Sequence, residues 1–315
     1  MKILVTGALG QIGSDLTLEL KKIYGQNNVI ASDILPQEKS QFEPYEVLNV
    51  LDKDNISSII KKHDIKIIYH LAAILSANGE KNSNLCFNVN INGLHNILEA
   101  CRNFQLKQVI CPSSIAVFGP QSPAVNTPQQ TILLPETMYG LTKVAGELLC
   151  DYYVKKHKID VRGLRYPGLI SHKALPGGGT TDYAVEIFYE AIQNKKYNCF
   201  LASDTILPMM YIDDAIRGTI ELSQADFKKL TDYANFNFAA MSFSCQELAD
   251  EITKYIPDFK ITYSPDYRQE IANSWPKSID DSQAQSQWNW KAEYDIAKMC
   301  QAMMSNLKTK LSNSQ

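Results

Sequence analysis

Long apolar runs are what this sequence most plainly lacks. None approaches the roughly 20 residues that a membrane-spanning helix needs, and the longest, Ile67 to Leu75, is interrupted by His70. There is no CxxC pair. The seven cysteines (Cys86, Cys101, Cys111, Cys150, Cys199, Cys245, Cys300) are odd in number and scattered, as reduced thiols used as small buried hydrophobes would be. No His and Cys group has zinc-ligand spacing, so no metal is expected. Positive charge is not in excess either. The net charge is −3, and no basic stripe is present that would bind nucleic acid. MKILVTG reads as a strand from the start, which leaves no room for a secretory or transit segment. The expectation is a cytoplasmic protein with neither nucleic-acid nor membrane partners. Repeats and low-complexity segments are absent too, and only the last residues, LSNSQ, read as frayed.

What is present suits a globular protein of ordinary composition. The chain has 315 residues, 45% hydrophobic and 21% charged, enough for one large domain with a smaller appended lobe. Residues 2–6, 29–32, 65–69, 107–111 and 160–165 read as buried parallel strands. Helix-period segments alternate with them. Between the first two strands, Ile12, Leu16, Leu20 and Ile23 recur at helical spacing, and Gly25 follows as a stop. The fold class is therefore α/β: a doubly wound parallel Rossmann sheet with a smaller C-terminal substrate lobe. A dinucleotide-binding domain is expected over residues 1–170 with a return segment at about 205–240. Residues 171–204 and 241–315 are left for the lobe.

The first strand runs into Gly7-Ala8-Leu9-Gly10-Gln11-Ile12-Gly13. Three glycines also fit a tight turn with no ligand. Here, however, the turn opens an amphipathic helix, whose N-terminal amides and dipole suit a pyrophosphate. Strand two ends in Asp33, twenty residues past Gly13, with Ile34, Leu35 and Pro36 next. A carboxylate there accepts the adenosine ribose hydroxyls and repels a 2′-phosphate, so NAD is expected rather than NADP. The glycine spacing resembles that of the extended short-chain dehydrogenase/reductase family. His70-Leu71-Ala72-Ala73 and Asn90-Ile91-Asn92-Gly93 are similar to two further segments of that family. The resemblance implies cofactor contacts from Gly7, Gly10, Gln11, Ile12 and Gly13, from Leu71, Ala72 and Ala73, and from Asn90. Where the family often carries an acidic residue for the adenine, this chain has Asn49-Val50; Asn49 can accept through its carbonyl.

Pro112-Ser113-Ser114 follows strand five, and Tyr139 and Lys143 open a long helical segment. Four residues apart, Tyr139 and Lys143 share one helix face. Oxidising an alcohol needs a base for the hydroxyl proton, and an ordinary tyrosine is poorly suited at neutral pH. A lysine ammonium one turn away favours the phenolate, so Tyr139 can serve as general base. By resemblance, Ser114 holds the substrate oxygen, and Ser113 touches the cofactor. Lys143 would bond the nicotinamide ribose, and Tyr166 and Pro167 would meet the nicotinamide end.

The substrate is the harder question. Many extended members act on sugar nucleotides and carry an arginine where this chain has Leu207, ahead of Tyr211-Ile212-Asp213-Asp214. Its loss removes a diphosphate clamp. A second glycine turn, PGGGTTDY at residues 176–183, precedes a helical pattern. Taken alone it fits either a capped linker or a small-anion site. The segments RYPGLIS, PGGGTTDYAVEIF, LPMMYIDD, AMSF, HLAAILSANGE and SWPKSIDDSQAQSQWNW together resemble the short-chain L-threonine 3-dehydrogenases. That resemblance implies a pocket of Ser76, Ser114, Tyr139, Gly179, Thr180, Thr181 and Trp275. It also implies transfer of the C3 hydride of L-threonine to the nicotinamide C4 of NAD, giving 2-amino-3-oxobutyrate, and a functional link to a glycine-forming acetyltransferase. The alternatives are a nucleotide-sugar epimerase or reductase of the same fold, or a redox-sensing binding protein without turnover. Glycines 177–179 make a mobile flap an expectation. Ser244 to Glu247 has the capping-box pattern. Excess apolar residues on segment 139–154 imply a homodimer, formed through it and the helix near 85–102.

Overall fold

Alternation of strand and helix is realised from the first residues onward. The protein is described by a computed structural model over residues 1–173 and 179–312. The strands are β1 (Lys2–Thr6), β2 (Val29–Asp33), β3 (Tyr45–Val47), β4 (Ile65–His70), β5 (Gln108–Ile110), β6 (Ser113–Ser114) and β7 (Val161–Arg162). All but β6 form one parallel sheet in the order β3-β2-β1-β4-β5-β7. The helices of this half are α1 (Gln11–Tyr24), α2 (Lys53–His63), α3 (Ser76–Lys81), α4 (Ser83–Phe87), α5 (Leu94–Phe104) and α6 (Met138–His157).

The period-two rule of a strand explains the layering. Leu4, Ile30, Ile68, Val109 and Val161 face one way, into a core completed by α2, α5 and α6. Ile3, Val5, Val29, Ala31, Ile67 and Tyr69 face the other way, toward Leu16 and Leu20 of α1 and toward the C-terminal half. β1 pairs with both β2 and β4, so the winding reverses at its C-terminal end. That is where a doubly wound sheet opens a crevice.

One expectation changes in detail. Residues 160–165 do not form a single strand. β7 stays in the central sheet, while β8 (Leu164–Tyr166) pairs with β6 and with β12 (Phe236–Asn237). The break falls at Gly163, where a Cβ would lie 2.1 Å from the Cys111 carbonyl oxygen and 2.9 Å from that of Ala234. Only glycine admits so close a backbone approach. Both Ser114 and Tyr166 are thereby turned off the central sheet.

The remainder comprises β9 (Gly168–Ile170), α7 (Tyr183–Asn194), β10 (Lys196–Cys199), β11 (Ile206–Tyr211), α8 (Ile212–Gln224), β13 (Met241–Ser244), α9 (Cys245–Thr253), β14 (Lys260–Tyr263), α10 (Arg268–Asn273), α11 (Ser282–Trp288) and α12 (Ile296–Ser312). Within the expected return segment, α8 packs on α1, whereas β11 joins β13 and β9 in a separate three-stranded sheet. One apolar core runs from β1 through α8 to α12. The capping box at Ser244 is formed: its Oγ accepts from Glu247 N at 3.1 Å, and its own N–H donates to Glu247 Oε2 at 2.6 Å. Among the described residues, no helix is long and apolar enough to cross a membrane.

Candidate active site

The glycine turn folds tightly onto itself. Gly7 has φ +70°, and a Cβ there would lie 2.7 Å from Ala72 N; at Gly13 it would lie 2.0 Å from the Gly7 carbonyl oxygen. Among the described residues no side chain caps α1, so its first amides remain for a ligand. Gly7, Gly10, Gln11, Ile12 and Gly13 line a cavity of about 230 Å³ at the sheet's C-terminal edge. Next to this cradle, Asp33 Oδ2 accepts from Leu9 N at 3.1 Å. An uncapped helix start beside a strand-end carboxylate fits the pyrophosphate and ribose of a dinucleotide.

Tyr139, Lys143, Ser113 and Ser114 line the same cavity, with Leu71, Ala73, Tyr166 and Pro167. Thr137 starts α6 by accepting from Gly140 N at 3.0 Å. The first turn of α6 therefore presents Tyr139, and the second presents Lys143. Lys143 Nζ donates to the Pro112 carbonyl at 2.8 Å and lies 5.6 Å from the centre of the Tyr139 ring. Ser114 Oγ accepts from Ala116 N at 3.2 Å, which leaves its proton to donate. Ser113 differs: its hydroxyl donates to Glu147 Oε1 at 2.5 Å.

Asp33, Asn49, Val50, Ala72 and Asn90 stand outside the cavity wall. Asn49 is exposed, and its Oδ1 already accepts from Leu51 N at 3.0 Å. Val50 is buried, and a Cβ at Gly93 would lie 2.7 Å from it. Asn90 sits in a π-helical turn, Asn88–Gly93, between α4 and α5. Its side chain takes Ile74 N at 2.8 Å and donates to Ile74 O at 3.1 Å and Thr142 Oγ1 at 3.0 Å. It ties the loop after β4 to α6 from behind.

Ser76, Gly179, Thr180, Thr181 and Trp275 also line the cavity. Gly177 and Gly178 lie outside the described residues. Gly168 makes room for Thr181, whose Cγ2 would lie 2.7 Å from a Cβ at that position. Thr180 is 1% exposed, and its hydroxyl has no hydrogen-bond partner among the described residues. Such a group costs free energy until a ligand pairs with it. Trp275 closes the wall at 8% exposure.

Reasoning from sequence gave no individual role to several wall residues, His70 and Asp182 among them, nor to their buried neighbour Glu147. His70 lines the cavity and bonds Thr6 Oγ1 at 2.9 Å. Burial, then the charge of Lys143, pushes its pKa down to about 3, so the ring is neutral at physiological pH. Asp182 lines the cavity, and its Oδ2 accepts from Gly179 N at 2.7 Å; an acidic residue right after the glycine turn was the available signal. Glu147, four residues past Lys143, was legible as a third member of one helix face.

The family model described as "NAD dependent epimerase/dehydratase family" matches residues 3–234. A solved monomeric L-threonine 3-dehydrogenase from a metagenome, in apo form, is 51% identical, with 98% of this chain and 99% of that one covered and a TM-score of 0.95. The holo form of an L-threonine dehydrogenase from Cupriavidus necator is 50% identical, covering 98% and 100%, with a TM-score of 0.96. An uncharacterized epimerase/dehydratase of Staphylococcus saprophyticus is 45% identical over 313 residues, 98% of each chain.

Proposed function

The chain belongs to the NAD dependent epimerase/dehydratase family, an extended branch of the short-chain dehydrogenases/reductases, and we propose that it oxidises the 3-hydroxyl of L-threonine to 2-amino-3-oxobutyrate. The cofactor is NAD, which when bound supplies the hydride acceptor. The observation that carries the substrate reading is the cavity lining that Tyr139 shares. It includes Ser76, Thr180, Thr181, Asp182 and Trp275, and Lys143 is the one cation among the described lining residues. That lining suits a small zwitterion. A nucleotide diphosphate would call for arginine, and Leu207, at the position where related enzymes place one, is fully buried in the core. The identity of about 50% to two L-threonine dehydrogenases supports the same reading.

Each residue has a task in this scheme. Tyr139 takes the proton of the 3-hydroxyl, as a base within one turn of an ammonium. Lys143 sets its ammonium 5.6 Å from the centre of the Tyr139 ring and is itself held by the Pro112 carbonyl. Ser114 donates to the substrate oxygen and fixes its distance from Tyr139. Thr180 and Thr181 orient the amino acid, and such positioning alone supplies a large part of a rate enhancement. Neutral His70 packs beside Lys143 without adding charge. Turnover in the cytoplasm, with a glycine-forming acetyltransferase consuming the product, completes the proposal.

The test is NADH absorbance with purified protein, NAD and L-threonine, run beside NADP, D-threonine and L-serine. A rise with L-threonine and NAD supports the reading. A flat trace from protein that binds NAD would move the assignment to nucleotide sugars.

A further inference from the structure

Tyr139, Lys143 and Glu147 follow one another at four-residue steps on α6, and so share a face. Tyr139 and Lys143 reach the cavity, whereas Glu147 lies one turn below them, 8% exposed. An isolated helix would draw a lysine and a glutamate at this spacing together. That does not happen here. Glu147 Oε1 accepts from Arg165 Nε at 2.8 Å and from Ser113 Oγ at 2.5 Å, and its Oε2 accepts from Arg165 Nη2 at 2.8 Å. Arg165, 2% exposed, spends its remaining nitrogen, Nη1, on Gln129 O at 3.0 Å and Asn237 Oδ1 at 3.1 Å. Its guanidinium also lies 5.2 Å from the centre of the Phe118 ring.

The pair binds together the three segments that carry the site. Ser113 neighbours Ser114 on β6, Arg165 neighbours Tyr166 on β8, and Glu147 is one turn from Lys143. A bidentate guanidinium–carboxylate contact is directional, so it fixes the carboxylate's orientation as well as its charge. We infer that Arg165 is a positioning residue: by occupying Glu147 it keeps that carboxylate off Lys143, which remains the uncompensated cation facing Tyr139. The inference rests on the reading of Tyr139 as the base.

Other titratable groups surround the same two side chains. They are His70 of β4, Glu80 of α3 (bonded to Met138 N at 2.8 Å), Cys86 of α4, Cys111 beside Pro112, Cys150 on α6, Tyr166 of β8 and Asp182 at the wall. Burial keeps His70 neutral and pushes the Cys86 thiol and the Tyr166 phenol up. None of these groups is altered in the comparison that follows, so a shift between variants reports on the Glu147–Arg165 pair.

The experiment titrates the tyrosinate absorbance of Tyr139 in NAD-loaded protein, as the difference between each protein and its Tyr139→Phe counterpart. Arg165→Met leaves Glu147 unpaired beside Lys143 and should move the titration up by about one pH unit, while Glu147→Gln leaves Arg165 unpaired and should move it down by about as much. Shifts of the same sign, or none in either variant, would overturn the inference and leave the pair a purely structural tie. Removing one partner of a buried pair is destabilising, so either single variant can fail to fold. The double variant Glu147→Gln/Arg165→Met, with no net charge removed, then decides. A titration at the parent's position supports the inference, and a displaced one overturns it. NADH formation from L-threonine by the parent is measured alongside. A parent inactive on L-threonine whose variants shift with opposite sign refutes the substrate and keeps the positioning role; an active parent whose variants do not shift refutes the positioning role alone.

Discussion

Asp33 at the end of β2 accepts the amide of Leu9 at 3.1 Å, so the carboxylate we propose for the adenosine ribose also braces the glycine turn. Replacing it by asparagine keeps an acceptor for Leu9 and removes only the charge. Asp33→Asn should raise the KM for NAD roughly tenfold and lift the NADP-to-NAD ratio of kcat/KM by about 10² as the repulsion of a 2′-phosphate is lost. Steady-state kinetics with both cofactors measures this. An unchanged ratio would remove Asp33 from cofactor selection.

Tyr139→Phe removes the proposed base and little else, because the phenyl ring remains to fill its buried place at 9% exposure. A drop in kcat of about 10²–10⁴ is expected, with NAD affinity by fluorescence titration within about threefold of the parent. Retained turnover would refute the assignment of the base.

Thr180 carries a buried hydroxyl without a partner among the described residues. Thr180→Val swaps it for an apolar group of the same shape, which is neutral or stabilising when no hydrogen bond is lost. The KM for L-threonine should nonetheless rise about tenfold, the cost of one lost hydrogen bond to the substrate. Differential scanning calorimetry and initial rates together test it: a lower Tm with an unchanged KM would mark the hydroxyl as structural.

His70 gives a pH dependence with a definite sign. Its pKa falls from 6.5 to about 3 on folding, so between those values the unfolded chain binds a proton that the native one refuses. Stability from this residue is complete above about 6.5 and falls as pH drops toward 3, by up to about 1.4 kcal/mol per pH unit. Urea denaturation at pH 7 and pH 5 should show a smaller loss on acidification for His70→Gln than for the parent. Equal losses would mean that His70 is protonated in the native state.

Leu141, Leu148 and Tyr152 of α6 are 47%, 66% and 52% exposed, and Leu85 and Phe87 of the adjoining α4 are 43% and 44% exposed. Contiguous apolar side chains of this kind mark an interaction face, and we propose a homodimer through it. Sedimentation at micromolar concentration should give a dimer for the parent and a monomer for Leu148→Arg. A monomeric parent would sink the proposal.

Much of this protein was written into its sequence. Local rules sufficed for the alternating strands, for the glycine turn with Asp33, and for Tyr139 and Lys143 on one helix face. They also sufficed for the Ser244 capping box, because each depends on neighbours a few residues away. Tertiary structure decided the rest. Gly163 splits what reads as one strand because a carbonyl from β5's far end passes where its Cβ would sit. Ser113 turns to Glu147, and Asn90 turns to Ile74, because the partners that satisfy their buried polar atoms arrive from segments 34 and 16 residues away. Glu147 ignores Lys143 for the same reason: on the helix alone the lysine is its natural partner, and only folding brings Arg165 within 2.8 Å. Hydrogen-bond satisfaction in a buried site is a property of the whole packing, which no local window of sequence contains.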